Sequence, residues 1–228
     1  MSEMADFDKI SKYFVVEGVL VNETPLRVGS GRDRGFASSV DNPVIRMRVQ
    51  SGGESLELPY IPGSSIKGAL RALLGSFLRS KGQGNVEEVL EGIFGSTELA
   101  SHVVVDDAYP IGIPSISVRT GIKIDNKFGS VEGGYLYTME YVEPGARWKF
   151  RMEIFNIDLS SPDDERARAL RFLLDALFEG LVRIGGRKSV GLGRIRLIKE
   201  ETKIYEVEFA PEGFQKREVP LTLGSGGG

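Results

Sequence analysis

At 228 residues the chain suits one large domain, or a core domain with insertions, and can bury an adequate core. It has no cysteine and a single histidine, His102, which excludes disulfides, thiolate-held zinc and paired-histidine metal sites and leaves a Ser-His-Asp hydrolase dependent on one residue. A net charge of −3 and a pI near 5.5 argue, taken globally, against a nucleic-acid binder.

The charges are nonetheless segregated. Between residues 27 and 81 there are nine Lys/Arg (27, 32, 34, 46, 48, 67, 71, 79, 81) and four acids (33, 41, 54, 57). Residues 183–196 hold five basic residues and no acid, whereas 82–118 hold six acids and no Lys or Arg. Such segregation can set one basic face on an acidic body, the pattern of an RNA-binding subunit inside an assembly. The opening M-S-E-M-A-D-F-D-K-I-S-K has no apolar signal core, and no run approaches the roughly 18 apolar residues of a membrane span, so a cytoplasmic protein with no membrane partner is expected.

Along the chain, residues 14–22 (F-V-V-E-G-V-L-V-N) form a β-branched strand expected in the core sheet. Arg27 then precedes a glycine-punctuated basic loop, G-S-G-R-D-R-G, that runs on to Asp41-Asn42-Pro43; loops of that length are usually functional or disordered. Residues 44–49 alternate as a short strand with Arg46 and Arg48 on one face, and 50–54 form a turn. The stretch 58–74, L-P-Y-I-P-G-S-S-I-K-G-A-L-R-A-L-L, reads as strand end, tight turn and helix start, with Ile66, Leu70, Leu73 and Leu74 on the apolar stripe. Open N–H groups at such a helix start attract phosphate; Ser64 and Ser65 add hydroxyls, and Lys67 and Arg71, at i and i+4, can reach the same anion. A capped amphipathic helix with ordinary surface charges is the plainer alternative.

The helix is expected to end near Gly82, with a second short helix over 86–94 and a strand over 103–109. Asp106 and Asp107 fall on opposite faces of that strand and read as structural. Residues 115–142 alternate on both flanks of a centre rich in Gly, Asn and Asp, which predicts a protruding β-hairpin. After a Pro144-Gly145 turn, 148–154 form a strand with Lys149, Arg151 and Glu153 outward. Residues 162–181 are the clearest helix, capped by Ser161, with Leu170, Leu173, Leu174, Leu177 and Leu181 as its buried stripe. Beyond it, I-G-G-R-K-S-V-G-L-G-R-I-R-L is a basic glycine loop feeding a strand. Its glycines allow close approach to phosphate, and Arg187, Lys188 and Arg194 supply the countercharge.

Three motifs in this order, D-N-P-V-I from Asp41, Y-I-P-G-S-S-I-K-G-A-L-R from Tyr60 and G-G-R-K-S-V-G-L-G from Gly185, resemble the RAMP superfamily. The resemblance is closer still to the Csm-type backbone subunit of type III CRISPR effector complexes, and it covers nearly the whole chain. It implies an α+β fold with a ferredoxin-like (RRM-like) core. The single domain would span 1–223, with insertions near 29–57, holding the long loop with Asp41, and near 115–142, followed by a flexible tail at 224–228. It also implies the partners: guide CRISPR RNA, complementary target RNA, further copies of the chain in a filament, and other type III effector subunits. Carried over residue by residue, the aspartate that cuts target RNA is Asp41, aided by a divalent cation, Mg or Mn, that is not tightly bound. The guide contacts are Arg27, Ser64, Ser65, Lys67, Arg71, Gly185, Gly186, Arg187, Lys188, Ser189, Gly191 and Arg194. The thumb-like hairpin presents Arg119, Ile122, Lys123 and Lys127.

Departures from the family pattern are few. Arg27 stands where relatives often carry histidine and cannot act as a neutral base. Ala69 replaces a second lysine, and Val190 an arginine. Cleavage of this kind uses the neighbouring ribose 2′-hydroxyl as nucleophile, so the protein must hold the nucleotide splayed in line and supply a base or a metal ligand. Asp41 suits either role; an Asx-turn aspartate before Asn-Pro is the plainer alternative. Two other readings stay open: a non-catalytic architectural paralogue of the same complex and, more remotely, a stand-alone guide-precursor endoribonuclease, for which His102 is the sole candidate base.

Overall fold

The computed structural model describes residues 9–29, 40–51, 53–124 and 131–220, of which 51, 122–124 and 131–136 are described as backbone alone. The basic loop at 30–39, Lys127 and the tail at 224–228 lie outside the described residues.

Strand β1 (Tyr13–Asn22) carries three partners. One edge pairs along nearly its full length with β7 (Arg147–Phe155), from Tyr13↔Phe155 to Val21↔Arg147. The other edge is shared: Phe14–Glu17 pair with β10 (Lys203–Ala210), and Leu20–Asn22 pair with β9 (Arg194–Leu197). With β4 (Val103–Val105) beside β7, β11 (Gly213–Val219) beside β10 and β8 (Val182–Arg183) beside β9, this makes a seven-stranded antiparallel sheet. Two hairpins stand outside it: β2 (Arg46–Ser51) with β3 (Glu54–Pro59), and β5 (Ile116–Ile124) with β6 (Val131–Val142).

Alternation along the central strands sends Phe14, Val16 and Leu20 of β1 and Trp148, Phe150, Met152 and Ile154 of β7 into one core. The same core takes Ile66, Leu70, Leu74 and Leu78 of α1 (Gly63–Ser80), Val89, Leu90 and Ile93 of α2 (Val86–Phe94), and Leu170, Leu173, Leu174 and Leu177 of α3 (Glu165–Phe178). The result is a mixed α/β arrangement with three α-helices on one face of the sheet among the described residues. Polar groups in this core are paired: the Trp148 indole N–H donates to Asn22 Oδ1 at 3.1 Å, and Asn22 is fully buried. No described helix is long and apolar enough to cross a membrane.

Several elements depart from the sequence reading. Strand β4 stops at Val105, because the following backbone turns to exchange hydrogen bonds with Ile61, Ile61 N–H to Ala108 O at 3.0 Å and Ala108 N–H to Ile61 O at 2.8 Å. Helix α3 begins at Glu165, not at Pro162: Asp164 is extended and its carboxylate accepts Arg166 N–H, while the Ser161 hydroxyl accepts Asp164 N–H one turn earlier. It ends at Phe178, Gly180 turns the chain in the left-handed region, and Leu181 is 62 % exposed instead of joining the stripe. Beyond Leu197, where the sequence reading ends, β10 and β11 extend the sheet by two strands.

The P-G pair at the head of α1 has a packing cause. A Cβ on Gly63 would lie 2.0 Å from Val105 O, so only glycine lets the helix start seat against the end of β4. Gly68, one turn later, is exposed with nothing within 4 Å of its would-be Cβ. Gly63→Ala is therefore expected to lower unfolding free energy by about 1–3 kcal/mol, and Gly68→Ala to raise it by up to about 1 kcal/mol. Denaturant midpoints of the two variants check this; equal shifts would refute the close-approach account.

Candidate nucleic-acid interface

The segment that returns from β1 to β2 docks along the edge of β6 that β5 leaves free. Leu26 and Val142 exchange backbone hydrogen bonds at 2.8 and 2.9 Å, and further on Asn42 N–H donates to Thr138 O at 3.1 Å while Glu140 N–H donates to Asn42 O at 3.1 Å. Glu140, a buried carboxylate, accepts Val44 N–H at 3.0 Å and pairs with Arg46 at 2.9 Å. Asp41 is thereby brought to the base of the β5–β6 hairpin. Its N–H donates to Thr138 Oγ1 at 3.0 Å, the Thr138 hydroxyl donates back to Asp41 Oδ2 at 3.0 Å, and Thr138 N–H donates to the same oxygen at 2.7 Å. These bonds, the Thr138 backbone N–H foremost and its hydroxyl next, hold the Asp41 carboxyl below the usual aspartate range although the side chain is exposed.

Arg27 ties this corner to the late glycine loop. Its carbonyl accepts Gly186 N–H at 2.9 Å, and its guanidinium donates from Nη2 to Asn42 Oδ1 at 3.2 Å. A Cβ on Gly185, which sits at φ +76°, would fall 2.1 Å from that same carbonyl. Arg27 has no carboxylate partner among the described residues, and its Nε is buried without a hydrogen bond. Arg187, itself left-handed at φ 59°, donates to Tyr137 OH and lies over the Tyr137 ring at 5.3 Å. Arg183 staples the loop by donating to Gly191 O at 2.8 Å, and Tyr137, Met139 and Tyr141 pack against Leu192. Lys188, Ser189 and Gly191 are exposed on the loop's outer side.

The start of α1 is a separate place. Gly63 N–H donates to Asp107 Oδ1 at 2.8 Å, and the N–H groups of Ser65 and Ile66 go to Pro62 O. Ser64, the second residue of the helix, is exposed. Lys67 Nζ donates to Ser101 Oγ at 2.7 Å and Arg71 Nη1 to Gly95 O at 2.8 Å. Both partners are neutral, so the two charges stay uncompensated; partial burial first, and Arg71 second, push the Lys67 ammonium down from its usual range. No described hydrogen bond or ion pair joins this pair to the Arg27 corner.

Other sequence candidates fall as follows. Arg194 is spent on Glu23 at 2.9 Å, a carboxylate it shares with Arg196 at 2.7 Å. Arg119 lies opposite Met139 in the hairpin and over the Tyr141 ring at 5.5 Å, one position from the strand pair Thr120↔Thr138. Ile122 and Lys123 are placed on β5 as backbone only. His102 is buried, with Nδ1 2.9 Å from Phe155 O. Asp106 pairs with Arg151 at 3.3 Å and Asp107 holds Gly63, so both acids act structurally. The sequence reading did not single out Asn42, Tyr137, Thr138, Glu140 or Arg183 as parts of this corner. Thr138 stands 97 positions from the aspartate it holds, with no local signal to announce it.

A family model described as the RAMP superfamily matches residues 20–196. The chain is 30% identical over 208 residues to the CRISPR system Cms endoribonuclease Csm3 of Methanocaldococcus jannaschii, covering 80% of this chain and 77% of that protein. It is 27% identical over 175 residues to the protein of the same name from Mycobacterium tuberculosis, covering 68% and 69%. For that of Enterococcus italicus the figures are 26% over 193 residues, 77% and 85%.

A carboxyl whose folded pKa is depressed contributes stability that is present above its unfolded value and is lost as pH falls through the folded one. For Asp41 the titration midpoint in the folded protein is expected below the ordinary 3.8, and Thr138→Val is expected to move it upward toward that value. Carbon-detected NMR titration of the carboxyl reads both; a wild-type midpoint at or above 3.8 would show that the Thr138 bonds do not form in solution.

Proposed function

Since the chain belongs to the RAMP superfamily, we propose that it is a Csm-type backbone subunit of a type III CRISPR effector complex. It holds guide RNA, stacks in several copies along it, and cuts complementary RNA at Asp41. The observation that carries this reading is an exposed, ionised carboxylate clamped to a two-stranded hairpin, next in sequence to the Asn42 whose side-chain oxygen accepts the Arg27 guanidinium. In this reading residues 1–223 form one domain on a ferredoxin-like, RRM-related core, the hairpin acts as the thumb that wedges into the guide–target duplex, and Lys67, Arg71, Arg187 and Lys188 meet backbone phosphates.

The depressed pKa narrows what Asp41 does. A carboxylate held below its usual range is a weak base at neutral pH, which favours orienting a ligand over taking the proton of the 2′-hydroxyl. Both Thr138 bonds converge on Oδ2, so Oδ1 is the oxygen to face RNA or an ion. Among the described residues there is no cluster of three or more His, Asp or Glu. A single ionised carboxylate fits a hard cation that keeps most of its water and leans on substrate phosphate. When bound, such a Mg or Mn ion would supply charge at the phosphate being attacked. The chain's own part is to hold the ribose and phosphate in line beside Oδ1 and to anchor the flanking backbone through its free cations.

In the reconstituted complex, Asp41→Ala is expected to cut complementary RNA at least about 100-fold more slowly while assembling on guide as before; cutting at the wild-type rate would leave the architectural reading in its place. Separately, Lys67→Ala with Arg71→Ala is expected to weaken RNA binding and lower the log–log salt slope by about 1.4, the value for two phosphate contacts on a single strand. An unchanged slope would reduce the head of α1 to a capped helix.

A further inference from the structure

We propose that Thr138 is the positioning residue for Asp41, so that the place of the cut is indexed to the base of the β5–β6 hairpin and not to the loop that carries the aspartate. This rests on the reading of Asp41 as the cutting residue. Residues 40–45 have no helix or regular strand of their own; their order comes from β6. Asn42 is held from both sides by Thr138 O and Glu140 N–H, and Val44 by the Glu140 carboxylate. Asp41 itself closes a ring with Thr138: backbone N–H to Oγ1, Oγ1–H to Oδ2, and Thr138 N–H to Oδ2.

A threonine hydroxyl has one donor hydrogen and accepting lone pairs, and the ring uses both functions on the same residue. β-Branching also restricts the Thr138 χ1, so the hydroxyl direction is preset by the strand. Valine keeps the shape and loses both bonds; serine keeps both bonds and loses the methyl. Thr138 faces Thr120 across the hairpin, the fifth pair from its Ile116↔Val142 end, so the carboxylate is tied to the paired part of the hairpin. If the same hairpin wedges apart the bound RNA, the wedge and the carboxylate form one rigid unit.

The test uses the reconstituted complex with guide and complementary RNA, comparing wild type, Thr138→Val, Thr138→Ser and Asp41→Ala. Guide affinity, target affinity, single-turnover cutting at saturating target, and hydrogen exchange of the Asn42 and Val44 amides are read in parallel. Thr138→Val is expected to cut about 10–100-fold more slowly, the usual loss when a ligand-orienting partner is removed, with both affinities unchanged and faster exchange at the two amides. Thr138→Ser is expected to stay close to wild type in all four readouts. Should valine disturb assembly, Thr138→Ala gives the same comparison. Wild-type cutting by the valine or alanine variant, with Asp41→Ala inactive, overturns the positioning role and leaves the Asp41 reading standing. Normal cutting by Asp41→Ala overturns both. A serine variant as slow as valine also overturns the proposal, because the hydroxyl would then not be what matters.

Discussion

The free edge of β6 is the constraint on which the functional half of the molecule depends. An unpaired strand edge presents a row of donors and acceptors that must find partners. Here the chain between β1 and β2 supplies them, antiparallel at Leu26 and Val142 and parallel at Asn42 and Met139. Glu140 makes the attachment hard to undo. A buried carboxylate that accepts Val44 N–H and pairs with Arg46 leaves an uncompensated charge if either partner is pulled away. Among the described residues the hairpin pairs with no strand of the main sheet, so this edge, with the packing of Tyr137, Met139 and Tyr141 on Leu192, fixes its orientation. Asp41, Arg27 and the late glycine loop inherit their mutual geometry from it.

The electrostatics follow from how the acids are deployed. The chain carries more acid than base, yet the acids are committed elsewhere: Glu23 to Arg194 and Arg196, Glu206 to Lys12 and Arg217, and Asp106 with Glu153 to Arg151. Among the described residues, Arg27, Lys67, Arg71 and Arg187 bond only neutral groups. A global pI thus misjudges a surface whose cations are selectively left unpaired. For Lys67 the sign is clear: its folded pKa lies below its unfolded value, so the charged form opposes folding, and the opposition fades as pH rises through the folded value toward 10.5. An anion beside Lys67 and Arg71 removes the same penalty at neutral pH.

Much of the fold was legible because its signals are local. The period of α1 and α2, the alternation of β1 and β7, and the alternating flanks of 115–142 all mark elements found in the structure. Failures came where one local cue overrides another. Ser161-Pro162 has every mark of a helix start, but Asp164 three residues on captures Arg166 N–H and sets the boundary. Leu181 continues the leucine spacing of α3, yet Gly180 has already turned the chain. Hairpin β2–β3 is only half legible, since Glu54–Glu57 are exposed on both faces and only Leu56 and Leu58 mark the strand. The alternation K-I-Y-E-V-E-F-A of β10 is a plain strand signal. At the site, residue types and motif order pointed to Asp41 and the glycine loop, but what holds them together spans some 96 or 97 positions and leaves no periodicity to read.

The head of α1 shows how a motif can be present while its simplest physical reading is not. A helix start preceded by Pro-Gly and followed by two serines suggests open N–H groups awaiting phosphate. In the folded chain Asp107 already donates its carboxylate charge to that end, accepting Gly63 N–H at 2.8 Å, and the tight seat of Gly63 against Val105 O fixes the helix there. The built-in anion satisfies the first donor and repels a second anion from the axis. Attraction is displaced one turn along the helix, to the face where Lys67 and Arg71 repel each other and lean on the Ser101 hydroxyl and the Gly95 carbonyl. A phosphate gripped by this helix would meet two cations on its side, Lys67 and Arg71, with Ser64 at the margin.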